Sequence, residues 1–120
     1  MMLGLRTAIY HVPDLAKAKA WYRDAFGVMP YFDAPYYVGF NIGGFELGLN
    51  PDTKTIAPGA RGVVAYWGVV DVNGTVDQLA GLGGTVLEPA RDVGDGIIVA
   101  TVADPFGNPI GLIHNPHYKP

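Results

Sequence analysis

The sequence contains no cysteine. Disulfides, thiolate nucleophiles and cysteine-ligated zinc are therefore excluded. Charge is sparse as well: Asp, Glu, Lys and Arg make up 16% of 120 residues, and the net charge is -3. Nucleic acid needs a basic footprint, so no nucleic-acid partner is expected. No apolar run is long enough for a membrane span, and Met1 to Leu5 lacks a charged segment followed by a long apolar stretch. A cytoplasmic protein with no membrane partner is the expectation. Apolar residues, by contrast, make up 49% of the chain, accompanied by 17 glycines and 10 prolines. Such a chain forms one globular domain over 1–120, able to bury about two thirds of its unfolded surface. The low charge leaves apolar surface in excess for a monomer this small, so a homodimer is expected.

Two stretches of the chain follow the same plan. Thr7 to Val12 reads as a strand, and Asp14 is a helix N-cap before Leu15, Ala18, Tyr22, Ala25 and Phe26 at helical spacing. Gly27 is placed to end that helix in a left-handed conformation. Tyr36 to Ile42 and Phe45 to Leu49 read as strands joined by Gly43-Gly44, a two-residue hairpin turn. Asn50 to Gly62 is a connection. Then Val63 to Val70 reads as a strand, and Asp71 precedes a helix with Val72, Val76, Leu79 and Leu82 on one face, ended by Gly83-Gly84. Thr85 to Leu87 reads as a short strand and Glu88 to Gly96 as a polar, Gly-rich loop, with Gly94-Asp95-Gly96 a candidate flap. Val99 to Val102 and Ile110 to Ile113 form a final hairpin about the turn Asp104-Pro105-Phe106-Gly107-Asn108.

The copies align. Asp14 meets Asp71 and Thr7 meets Val64 at an offset of 57 residues, while Gly44 meets Gly107 and 47–49 meets 110–112 at an offset of 63. The extra residues are expected in the Glu88 to Gly96 loop. A tandem repeat is the reading: unit one over about 5–50, a linker over 51–62, unit two over about 63–115.

Val12-Pro13-Asp14-Leu15 with Trp21-Tyr22-Arg23-Asp24-Ala25-Phe26-Gly27, and Asp104-Pro105-Phe106-Gly107-Asn108-Pro109-Ile110, resemble the first-helix and last-hairpin signatures of the vicinal oxygen chelate superfamily. That superfamily contains glyoxalase I, extradiol dioxygenases and bleomycin-resistance proteins. The resemblance covers nearly the whole chain. It implies an α+β fold of two tandem βαβββ units, mixed sheets curled into half-barrels around a cleft, with helices outside. It also implies one divalent metal in that cleft, held by His, Gln or Glu and acting as a Lewis acid.

By that resemblance the metal-ligand positions fall on Thr7, Gly48, Val64 and Gly111. Together these offer one hydroxyl, a poor ligand for zinc, iron, nickel or manganese. Shifting the alignment by one residue brings in Arg6 or Ala8, Val63 or Ala65, and Ile110 or Leu112, none of them a ligand. No metal and no other cofactor is expected.

Strand alternation from those positions predicts a cleft lined by Thr7, Ile9, His11, Glu46, Gly48, Val64, Tyr66, Gly111 and Ile113. The wall is apolar and aromatic with few polar groups, the usual make-up of a small-molecule pocket. Tyr36, Tyr37 and Phe40 can add to it, but the pattern does not fix their parity. His11 and Glu46 are the ionisable pair on this face and the weak candidates for acid/base catalysis; the alternative is that both are solvated near strand ends. Trp21 and Trp67 read as packing residues. His114 and His117 belong to a solvated C-terminal tail, Asn115 to Tyr118. Gly94-Asp95-Gly96 lacks the lysine of a phosphate-binding loop.

The leading expectation is a metal-independent small-molecule binding protein of the glyoxalase/bleomycin-resistance type, sequestering an antibiotic or an aromatic metabolite. The alternatives are a lyase or dioxygenase with a non-standard metal site, a metal-free acid/base enzyme using His11 and Glu46, and a domain serving only association.

Overall fold

The structure is a computed structural model, and it describes Leu3, residues 5–61 and residues 63–117. Met1, Met2 and Gly4 of the N-terminal stretch, Gly62 of the linker and Tyr118 of the tail lie outside the described residues. The chain divides between Pro58 and Gly59 into two compact units.

In the first unit β1 (Thr7–His11) is followed by α1 (Leu15–Phe26), then β2 (Phe32–Ala34), β3 (Tyr37–Ile42) and β4 (Phe45–Asn50). The Asp14 carboxylate accepts from the Lys17 amide, and Gly27 closes the helix at φ 70°. The helix carries the chain to the far edge of the sheet, whose strand order is β1-β4-β3-β2. Two hairpins then return it, so that β4 lies parallel to β1. Gly43 and Gly44, at φ 61° and 93°, make the tight turn, and Asn41 Oδ1 accepts from the Gly44 amide.

Alternation sorts this sheet into two faces. Tyr10, Val38, Phe40, Leu47 and Leu49 are buried with Ala18, Trp21 and Tyr22 of α1. Tyr22 stacks on Tyr10 at 5.5 Å between ring centroids and meets Trp21 edge-on at 4.9 Å. The opposite face carries Thr7, Ile9 and His11, which register with Glu46, Gly48 and Asn50.

The second unit repeats the order: β5 (Ala65–Gly68), α2 (Val72–Gly81), β6 (Thr85–Asp92), β7 (Ile98–Ala103), β8 (Pro109–His114), with strand order β5-β8-β7-β6. Asp71 caps α2 by accepting from the Gly74 amide. Leu79, Ala100, Val102, Ile110 and Leu112 are buried. Each unit is thus a four-stranded mixed sheet with one helix, the βαβββ plan.

Two boundaries differ from the sequence reading. The strand expected over 63–70 contracts to Ala65–Gly68. The region expected as a short strand and a loop is one eight-residue strand, β6, so the Glu88 to Gly96 loop is a correction. β6 keeps pairing with β7 through register shifts between Val86 and Glu88 and between Glu88 and Arg91. Only a short turn remains, closed by Val93 N–H to Ile97 O at 2.9 Å and Ile97 N–H to Gly94 O at 3.0 Å. Among the described residues, no helix is long and apolar enough to cross a membrane.

The Asp104–Asn108 turn holds itself together. Asp104 Oδ1 accepts from the amides of Phe106 (2.8 Å) and Asn108 (2.9 Å), and Oδ2 accepts from Asn108 Nδ2 at 3.0 Å. Asn108 Oδ1 in turn accepts from the Gly59 amide at 3.0 Å. Asp104 and Asn108 are both buried, and burial is affordable for them because their polar atoms find partners.

Candidate functional site

In the first unit the hydroxyls of Thr7, Tyr31 and Tyr37 converge on Glu46. Parallel pairing sets Thr7 opposite Glu46, and Thr7 Oγ1 donates to Glu46 Oε1 at 2.7 Å. Tyr37, at the start of β3, donates from its hydroxyl to the same oxygen at 2.6 Å. Tyr31 donates to Oε2. Its amide also donates to Gly39 O at 3.0 Å, which extends the β2–β3 pairing and brings the ring over the sheet. Gly39 leaves the space for this: a Cβ there would lie 3.0 Å from Glu46 Oε2 and 3.1 Å from the Tyr31 ring.

The three hydroxyls act on the carboxylate in one direction. Hydrogen bonds from Tyr31 and then Tyr37 hold Glu46 below the usual carboxylate range, against an opposing push from burial. The same contacts raise both phenols. Tyr37 is pushed up to about 12, first by burial and next by its bond to Glu46, while Tyr31 is raised chiefly by its bond to Glu46. Glu46 is an ionised carboxylate at neutral pH and a weak base.

His11 sits elsewhere. It registers with Asn50, four strand positions from Thr7, roughly 13 Å at the usual rise. Its Nδ1 lies 2.6 Å from the Asp52 carbonyl oxygen, which can only accept, so Nδ1 carries the proton. The weak acid/base candidates His11 and Glu46 are not brought together: Glu46 accepts from Thr7, Tyr31 and Tyr37, and His11 bonds the Asp52 backbone.

The metal-ligand positions read from the family resemblance hold something other than ligands. Gly48 is buried under Tyr37, whose hydroxyl oxygen would lie 2.0 Å from a Cβ at that position. In the second unit, Gly111 registers with Tyr66, and a Cβ would meet the Tyr66 ring at 2.6 Å and Ala65 O at 2.8 Å. Val64, just before β5, is half-buried and offers no donor. Thr7 spends its hydroxyl on Glu46. Among the described residues, no three His, Asp or Glu side chains group as a metal site. The residues present do not fit the divalent metal.

The remaining expected residues divide between the two sheets. Thr7, Ile9, His11, Glu46 and Gly48 share the open face of the first sheet. Tyr66, Gly111 and Ile113 share one face of the second, away from buried Ile110 and Leu112. Tyr37 joins the first group, Phe40 lies in the core, and Tyr36 is exposed in the turn before β3. Trp21 packs in the core as expected, and Trp67 is half-buried. His117 is not simply solvated, since its Nε2 donates to Asp95 O at 2.8 Å. A shallow groove between α1 and β2, spanned by the Lys19–Asp33 ion pair at 2.9 Å, contains none of the expected residues. The sequence reading missed Tyr31, which directly precedes β2, a strand of three residues and too short to carry a periodic signal.

Residues 4–112 match the Glyoxalase/Bleomycin resistance protein/Dioxygenase superfamily, and the chain belongs to it. Its fold is similar to that of a glyoxalase-related enzyme from Fulvimarina pelagi, with a TM-score of 0.80 and 21% identity over 98% of this chain and 92% of that one. It is also similar to a lactoylglutathione lyase from Agrobacterium tumefaciens, with a TM-score of 0.74 and 22% identity over 95% of each chain. A superfamily member from Burkholderia phytofirmans PsJN gives 0.77 and 16% identity over 90% of this chain and 95% of that one. At such identities the likeness is one of fold. No curated protein matches the sequence significantly.

Proposed function

We propose that this chain is a metal-independent small-molecule binding protein. The observation that carries the reading is the pair of tyrosines, Tyr37 over Gly48 and Tyr66 over Gly111, at two positions where the family resemblance puts metal ligands. Aromatic rings over glycines supply contact surface and shape, the means by which a pocket holds an organic molecule. Acid/base turnover through Glu46 is disfavoured, because hydroxyl donors stabilise the very form a base must give up.

The same reading extends to an antibiotic or an aromatic metabolite as the sequestered compound, and to a cytoplasmic homodimer. Exposed apolar side chains such as Leu5, Val63 and Val70 support self-association. The net charge of -3 gives nucleic acid no footprint.

A thermal-shift panel of aromatic, cationic and neutral compounds, run with and without EDTA, tests the proposal. Stabilisation by at least one compound, unchanged by the chelator, is expected. No stabilisation, or stabilisation that EDTA abolishes, would end it.

A further inference from the structure

Resting on that reading, we infer that the Glu46 cluster of the first unit takes a small aromatic molecule bearing a protonated amine. A hydroxyl has one proton, and Thr7, Tyr31 and Tyr37 all lie within hydrogen-bond reach of Glu46, with Thr7 also bonded to Tyr37. A carboxylate offers about four acceptor sites, so three donors leave one open. What remains at the cluster is acceptors only: that last carboxylate site and the lone pairs of three hydroxyl oxygens. A ligand without a donor finds no polar partner here, whereas an ammonium group, with three donors, finds several.

Charge points the same way. The hydroxyl contacts keep Glu46 ionised, and no cationic side chain among the described residues is paired with it. A carboxylate lying against exposed rings without a counter-ion is complementary to an organic cation.

The rings supply the rest. Phe32 meets Tyr37 at 6.2 Å and 54°, and meets Tyr36 at 6.2 Å and 64°. Tyr31, Phe32 and Tyr36 are 64%, 40% and 68% exposed. Tilted, accessible aromatic faces beside an anion attract a cation and stack on an aryl group.

The test is an amide-resolved NMR titration of the full chain with benzylamine, which is protonated at pH 7, and with its neutral counterpart benzyl alcohol. Benzylamine is expected to bind at least about tenfold more tightly, the ratio that one charge-assisted hydrogen bond provides, with shifts centred on residues 31–39 and 45–48. Glu46→Gln should bring the amine to the level of the alcohol. Tyr31→Phe removes one donor from Glu46 and keeps the ring, so the preference for amine should persist or grow; a cluster with a purely structural role would not respond so. Equal binding of amine and alcohol at the cluster would overturn the amine class and leave the small-molecule reading standing. Shifts centred elsewhere, or undiminished amine binding by Glu46→Gln, would also overturn it. Failure of both probes to bind would defeat the inference together with the small-molecule reading of this face. If Glu46→Gln does not fold, Tyr31→Phe and the two probes decide the matter.

Discussion

The hydroxyl of Tyr37 occupies the place where a side chain on Gly48 would begin, 2.0 Å from the Cβ that glycine lacks. In the same position the phenol donates to Glu46 Oε1. One tyrosine therefore both fills the space beside Gly48 and donates to the carboxylate of the cluster.

Gly48→Ala should destabilise the protein by about 1–3 kcal/mol through overpacking. Tyr37→Ala in the same chain should recover part of that loss, so the double variant costs less than the two single losses together. Urea unfolding of the four-member cycle measures the coupling. Strict additivity would mean that Tyr37 does not lie over Gly48.

Gly111→Ala should behave differently. Its added methyl would meet the Tyr66 ring and also Ala65 O, a backbone atom that cannot swing away. Tyr66→Ala should therefore rescue Gly111→Ala less completely than Tyr37→Ala rescues Gly48→Ala, again read from urea midpoints.

The turn of the last hairpin yields a stability prediction. Asp104→Ala leaves the amides of Phe106 and Asn108 and the Asn108 side chain without their acceptor. A loss of about 2 kcal/mol or more is expected in denaturant unfolding. Asp104→Asn should cost less, because one oxygen remains to accept.

Acid should expose the Glu46 cluster. Its pKa is lowered on folding from an ordinary value of 4.5, so the stabilisation it brings is present above that value. It is lost as pH falls through the lower folded value. Wild type should therefore lose stability on acidification more steeply than Glu46→Gln, measured as melting temperature against pH. At the alkaline end Tyr37 is raised from 10.0 to about 12, a contribution present below 10 and lost as pH climbs through 12. Absorbance titration should show a late tyrosine step that is lost in Tyr37→Phe. In Glu46→Gln that step should move down yet stay above 10, since burial is its larger cause.

Much of this architecture was legible in the chain because its signals are local. Asp14, Gly27, Gly43-Gly44 and Asp71 act within a few residues, and the structure places each where its chemistry requires. β6 was not legible: it is exposed at nearly every position, contains Pro89, and exists because β7 pairs with it through two register shifts. The candidate site divides in the same manner. Alternation assigned Thr7 and Glu46 to one face, but the parity of Tyr36 and Tyr37 depends on the Gly39–Gly48 pairing, which no local pattern encodes. Tyr31 reaches Glu46 through a backbone bond to Gly39, a contact visible only once the sheet is assembled.

The metal content of the purified chain is the most direct test of metal-independent binding. Tag-free protein, expressed with added manganese, iron, nickel and zinc and then desalted without chelator, can be assayed by plasma mass spectrometry. Threonine, valine and two tyrosine-covered glycines at the ligand positions predict metal far below one equivalent per chain. A stoichiometric divalent ion, retained through desalting, would contradict it.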